Sequence, residues 1–148
     1  MATAVLSIGM GGMSALMLSA TSAMSEAEHS SLAHLHADAM AATLMLSPLG
    51  LEHLANPPDS TEICFENEQC SNQDFLAGQY WLWRSRVAGD LPMGKGTVCR
   101  DSTPFDGDPT AFECDSAGPV VSKVFWAEPR HFNDADGGYR RAVVQLPE

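Results

Sequence analysis

No charged side chain occurs before Glu26: residues 1–25 read MATAVLSIGMGGMSALMLSATSAMS, and every Lys, Arg, Asp and Glu of the chain falls after them. At about 1.5 Å per residue, some twenty such positions in a helix reach across a hydrocarbon layer of about 30 Å. Ala, Gly, Ser and Thr dilute the Leu, Ile, Val and Met, so a lone span gains little from lipid. Packing against another helix is the expected resting place. Gly9, Gly11 and Gly12, with Ser7, Ser14 and Ala15, form a narrow face on which two backbones can approach closely. Each glycine weakens the helix there by about 1 kcal/mol relative to alanine. A cleaved secretory signal is the rival reading, but it needs a basic region ahead of its apolar run, and no Lys or Arg precedes Val5. The same lack deprives a membrane anchor of its positive-inside cue, which leads to the expectation that residues precede Met1 in the native protein.

Beyond Glu26 the apolar positions Leu32, Leu35, Ala39, Ala42 and Leu46 recur at alternating steps of three and four, the mark of one helical stripe. These five are the residues expected to hold a head domain to the helix. Pro48 and Gly50 end the pattern, and Asn56-Pro57-Pro58-Asp59-Ser60 is a turn-rich connection. The prediction is one helix of about 45 residues, some 65–70 Å long by the helical rise. That is too long for the interior of a 15.8 kDa globule. The chain therefore divides into an apolar half-helix, 1–25, and a head, 26–148, that includes the amphipathic half of the helix, 26–47.

A length of 148 residues suits one domain with a core of its own. Residues 1–83 hold nine acids and no base, whereas 84–148 hold ten acids and eight bases, for a formal net charge of −11. Such a balance repels phosphate and argues against nucleic acid as a partner.

Cys64, Cys70, Cys99 and Cys114 all lie beyond the apolar segment, which suits a head exported to an oxidising compartment. Three pairings are open; the local one, Cys64 with Cys70 and Cys99 with Cys114, closes modest loops worth about 2–3 kcal/mol each. A four-thiolate zinc site lacks its usual C-x₂-C knuckles. Between the cysteine pairs, Ser71 or Asn72 can cap a helix whose Phe75, Leu76, Tyr80, Trp83 and Val87 share a face. Gly89 and Pro92 end it. Tyr80, Trp81 and Trp83 could be a ligand platform, but core packing is the favoured reading, with Arg84 and Arg86 solvating the outer edge. Residues 96–100, 120–126 and 141–146 read as strands, with Asp136-Gly137-Gly138 as the turn before the last.

His29, His34, His36 and Asp38 invite a metal reading, yet only His34 and Asp38 have i, i+4 spacing, so no metal site is expected. The acidic loop Asp101–Asp108 with Asp115 has oxygens enough for Ca²⁺ but not the EF-hand pattern, and is read as solvated. Paired catalytic carboxylates, a Ser/His/Asp set and a phosphate-cradling glycine loop are not found. The expectation is a protein that is not an enzyme and takes no cofactor.

The run Val5-Leu6-Ser7-Ile8-Gly9 at the head of an apolar helix resembles the N-terminal helix of type IV pilins. Gln69-Cys70-Ser71 before a Trp83-containing helix, Leu91-Pro92-Met93-Gly94-Lys95-Gly96-Thr97-Val98-Cys99-Arg100-Asp101, and Cys114-Asp115 with Val121 to Trp126 resemble the PilV group of minor pilins, also called type IV pilus modification proteins. The family's Gly-Phe-Thr-Leu-x-Glu processing motif is not in the sequence, and alignment with the family would set Met1 about six residues inside a mature, N-methylated chain. The resemblance implies a pilin-like α+β fold: a long N-terminal helix on a small antiparallel sheet, a short extra helix and two disulfides. It implies residence in the inner membrane with a periplasmic head, then in the pilus at the cell surface. The implied role is to help initiate the pilus in a priming or tip complex, supporting piliation, twitching motility and adhesion. Partners would be other minor pilins, the major pilin, a tip adhesin and the inner-membrane assembly platform. Val5, Leu6, Ile8, Gly9, Gly11, Gly12, Leu16 and Leu18 would meet those partners or lipid. The rivals are a minor pseudopilin of a type II secretion system and a secreted disulfide-stabilised binding domain.

Overall fold

The computed structural model describes residues 2–46, 71–128 and 137–147, with side chains from Met13 onward except Ala15. Its class is α+β: helix α1 (Ala2–Leu46), helix α2 (Asn72–Asp90), then strands β1 (Lys95–Arg100), β2 (Val120–Ala127) and β3 (Tyr139–Gln145). The strands form one antiparallel sheet in the order β1-β2-β3, with Val98 opposite Ser122 and Ser122 opposite Val144. The long helix, the short one and the three strands lie where the sequence predicts them, within two residues at each strand end.

α1 runs 45 residues, about 67 Å at about 1.5 Å per residue, and ends two residues before Pro48. Ala33, Ala37, Met40, Ala41 and Leu44 are buried against the head, a stripe at helical spacing. Leu32 packs half-buried at its border. The other four positions of the predicted stripe lie off this face: Leu35 is 62 % exposed, Leu46 is 85 % exposed, and Ala39 and Ala42 are exposed too. The head selects the alanine row because small side chains let the helix axis come close to the sheet. Hydrophobicity alone favoured the leucines, which left the phase of the helix wrong by about one position.

α2 starts on a capping box: Ser71 Oγ accepts from the Asp74 N–H at 3.2 Å, and the Ser71 N–H donates to Asp74 Oδ2 at 3.3 Å. Leu76, Tyr80, Trp83 and Val87 are buried as predicted, whereas Phe75 is half exposed. Gly96 is where α2 meets β1: a Cβ there would fall 2.4 Å from the Trp83 ring, so only glycine lets the indole lie on the strand. Trp83 Nε1 donates to the His36 carbonyl of α1 at 2.8 Å, joining the two helices and the sheet at one side chain.

β2 is the central strand and is buried along nearly its whole length. Alternation sends Val124 and Trp126 into the helix-side core with Val98 and Ala142. Val121, Lys123 and Phe125 then face the opposite side, and they are buried as well. What covers them is the connection from β1 to β2, residues 101–119: Phe112 stacks on Phe125 at 5.7 Å between centroids, and the Arg141 guanidinium donates to the Phe105 carbonyl. The head is thus three layers, helices, sheet and an ordered loop.

Candidate functional surfaces

Three surfaces carry chemistry beyond packing: the free part of α1, the loop layer over β2, and a groove between α2 and β1. Among the described side chains of α1 from Met13 to Ser25 all are exposed except Ser22, which is partly covered. Leu16 and Leu18 are each 72 % exposed, and Met13, Met17 and Met24 are also open. The side chains of Val5, Leu6, Ile8, Gly9, Gly11 and Gly12 lie outside the described residues; their backbone is helical. Among the described residues no helix is long and apolar enough to cross a membrane.

Two histidines that sequence reasoning weighed as metal ligands instead tie α1 to the head. His29 Nδ1 lies 3.1 Å from Glu128 Oε1, and the same oxygen accepts from Trp126 Nε1 at 2.8 Å. His36 Nε2 lies 2.9 Å from Asp90 Oδ2 at the end of α2. His34 and Asp38 are exposed. Among the described residues no cluster of His, Cys, Asp or Glu is arranged to hold a metal ion.

The acidic loop, expected to be solvated, is ordered around a lysine. Lys123 is fully buried, its ammonium paired with the equally buried Asp101 and with Asp106 Oδ1 at 3.1 Å, and it donates to the Phe112 carbonyl at 3.1 Å. Asp101 Oδ1 accepts from the Thr103 N–H at 2.9 Å. A buried ammonium with three oxygens has all of its donors in use. The Thr103 hydroxyl, and then Lys123, hold the Asp106 carboxyl below the ordinary range. Asp115 is lowered by the Ser102 hydroxyl and the Ala117 N–H, and Asp108 by the Thr110 hydroxyl and the Thr110 and Ala111 amides. The Cys99–Cys114 disulfide, Cα atoms 6.1 Å apart, closes this layer onto the end of β1. It is one of the two local pairs that the sequence left open; Cys64 and Cys70 lie outside the described residues. The missed signal was a lysine in the middle of the apolar run Val120–Trp126, followed by the question of which acids could reach it.

The third surface is a groove of about 580 Å³ between α2, the start of β1 and residues 109–112. Tyr80 and Trp83 are core residues, as the packing reading expected, but Trp81 is only half-buried and lines this groove with Arg84, Ser85, Lys95 and Thr110. Arg84 is held over the Tyr80 ring, 5.8 Å from its centroid. In comparisons with known proteins, the chain matches no family model, no curated protein and no solved structure.

Proposed function

We propose that this chain is a minor pilin of the PilV kind, whose work is done by its long helix. The observation that carries the reading is the division of α1: one continuous 45-residue helix whose distal part, from Met13 to Ser25, leaves its apolar side chains open, while its last turns are fixed to a small antiparallel sheet. An exposed row of Leu and Met on the uncharged part of a helix calls for cover by other apolar surface. Helices of neighbouring pilin subunits provide that cover in a filament core, and bilayer lipid together with partner helices provides it before assembly. The head, fixed by the His29–Glu128 and His36–Asp90 contacts, sits on the periplasmic side and then on the filament surface. A second disulfide, Cys64–Cys70, belongs to the same reading. In this role the protein joins other minor pilins and the major pilin in a priming or tip complex.

The test is deletion of the gene in its native cell, with sheared surface filaments and twitching motility as readouts. Loss of both, restored by the wild-type gene but not by Gly11→Leu, is the expected result. Intact pili with loss of secreted enzymes would move the protein to a type II secretion pseudopilus. Peptide mass spectrometry of the native N-terminus is the companion measurement. A methylated N-terminal residue in both membrane and filament fractions is expected, and a free terminus near Ala27 in a soluble fraction would end the pilin reading.

A further inference from the structure

The groove between α2 and β1 is used neither by the core nor by the helix-borne assembly just proposed, and its lining is chemically selective. Arg84 and Lys95 face it, and among the described residues neither has a carboxylate partner. In a chain of net charge −11, two cations that have no carboxylate partner among the described residues share one concave surface, with the Asp108 carboxylate set behind Thr110 at its edge. Both are held in place. The guanidinium rests over the Tyr80 ring, and Lys95 Nζ donates one hydrogen to the Pro109 carbonyl at 3.0 Å, leaving two for a ligand. Between them the groove presents the half-buried Trp81 indole, the Ser85 hydroxyl, and Thr110, whose hydroxyl hydrogen already goes to Asp108 and whose oxygen therefore accepts.

We propose that this groove binds an acidic saccharide, with Arg84 and Lys95 holding a ring carboxylate, Trp81 lying against the C–H face of a sugar ring, and Ser85 and Thr110 meeting its hydroxyls. The groove is open and of a size that fits ligand sites. An open trough suits a stretch of an extended chain. A carboxylate flanked by neutral rings suits one pair of fixed cations in a protein whose overall charge repels a densely charged polymer. A nucleic acid, charged at every step, meets that repulsion in full. An acidic peptide offers carboxylates but no ring faces for Trp81.

The experiment is isothermal titration calorimetry of the full chain with a hyaluronan tetrasaccharide, in which uronate and neutral rings alternate. Chitotetraose is the uncharged control, and a decaglutamate peptide is the charge-only control. Saturable binding of the hyaluronan probe is expected, with chitotetraose at least about tenfold weaker and with Trp81→Ala, Arg84→Gln and Lys95→Gln each lowering affinity about tenfold, which is about 1.4 kcal/mol. The two cation variants lie on the exposed surface, so they keep the test decisive if Trp81→Ala fails to fold. Absence of saturable binding, equal affinity in the cation variants, or decaglutamate binding as tightly as the saccharide would each overturn the proposal. None of these outcomes touches the filament reading, which stands or falls on piliation.

Discussion

A buried ammonium is costly unless oxygens surround it, and at Lys123 those oxygens come from Asp101, Asp106 and the Phe112 carbonyl. Replacing one partner strands the other. Lys123→Met is therefore expected to cost about 3–5 kcal/mol in urea denaturation, because Asp101 stays buried without its cation. Lys123→Met combined with Asp101→Leu should recover much of that loss, since no buried charge is left unpaired. The neighbouring carboxyls add an acid limit. Asp106, Asp108 and Asp115 are held below the ordinary carboxyl value in the folded protein, so what they contribute is complete above that value and is lost as the pH falls through their folded values. The protection of the Ser102, Thr110, Ala111 and Ala117 amides, measured against their intrinsic exchange rates, should fall on acidification through that range, ahead of protection in β2. At this scale the sequence showed the acids and the lysine but not their meeting, because a side chain's partners depend on where the loop folds back.

At the scale of elements, α1 presents two candidate apolar rows, and the head uses the one rich in alanine. Ala37→Leu should destabilise the head by about 1–3 kcal/mol through overpacking, while Leu35→Ala and Leu46→Ala should stay within about 0.5 kcal/mol, as exposed positions do. Thermal and urea unfolding of the three variants check the phase of the helix directly. The loop layer is an element in its own right, and its disulfide spans 15 residues. Cys99→Ser with Cys114→Ser is expected to cost about 3 kcal/mol by the loop-entropy argument. α2 and the strands were legible because their signals are local: a Ser71 cap, apolar positions at helical spacing, and β-branched runs bounded by glycine and proline. The loop layer was not, since nothing local distinguishes an acidic loop in water from one laid over a sheet.

For the whole molecule, the head and the free part of α1 are close to independent. Only Ser22 among the described side chains before Glu26 is partly covered, so a chain lacking residues 2–21 should keep the urea midpoint of the full-length head. A lowered midpoint would show that the free helix contributes to the head's stability. The sequence by itself determined the elements and their order, the single long helix and its uncharged first half, because periodicity, caps and breakers act over a few residues. Only the tertiary structure decided which face of α1 meets the sheet, that the 101–119 connection roofs the second face of β2, that Cys99 pairs with Cys114, and that Trp81 is left half-buried at a groove while Tyr80 and Trp83 are buried in the core. Those are questions of close approach between segments distant in the chain. Close packing answers them through the size of an alanine, the missing Cβ of Gly96 and the reach of one lysine, none of which has a period to read.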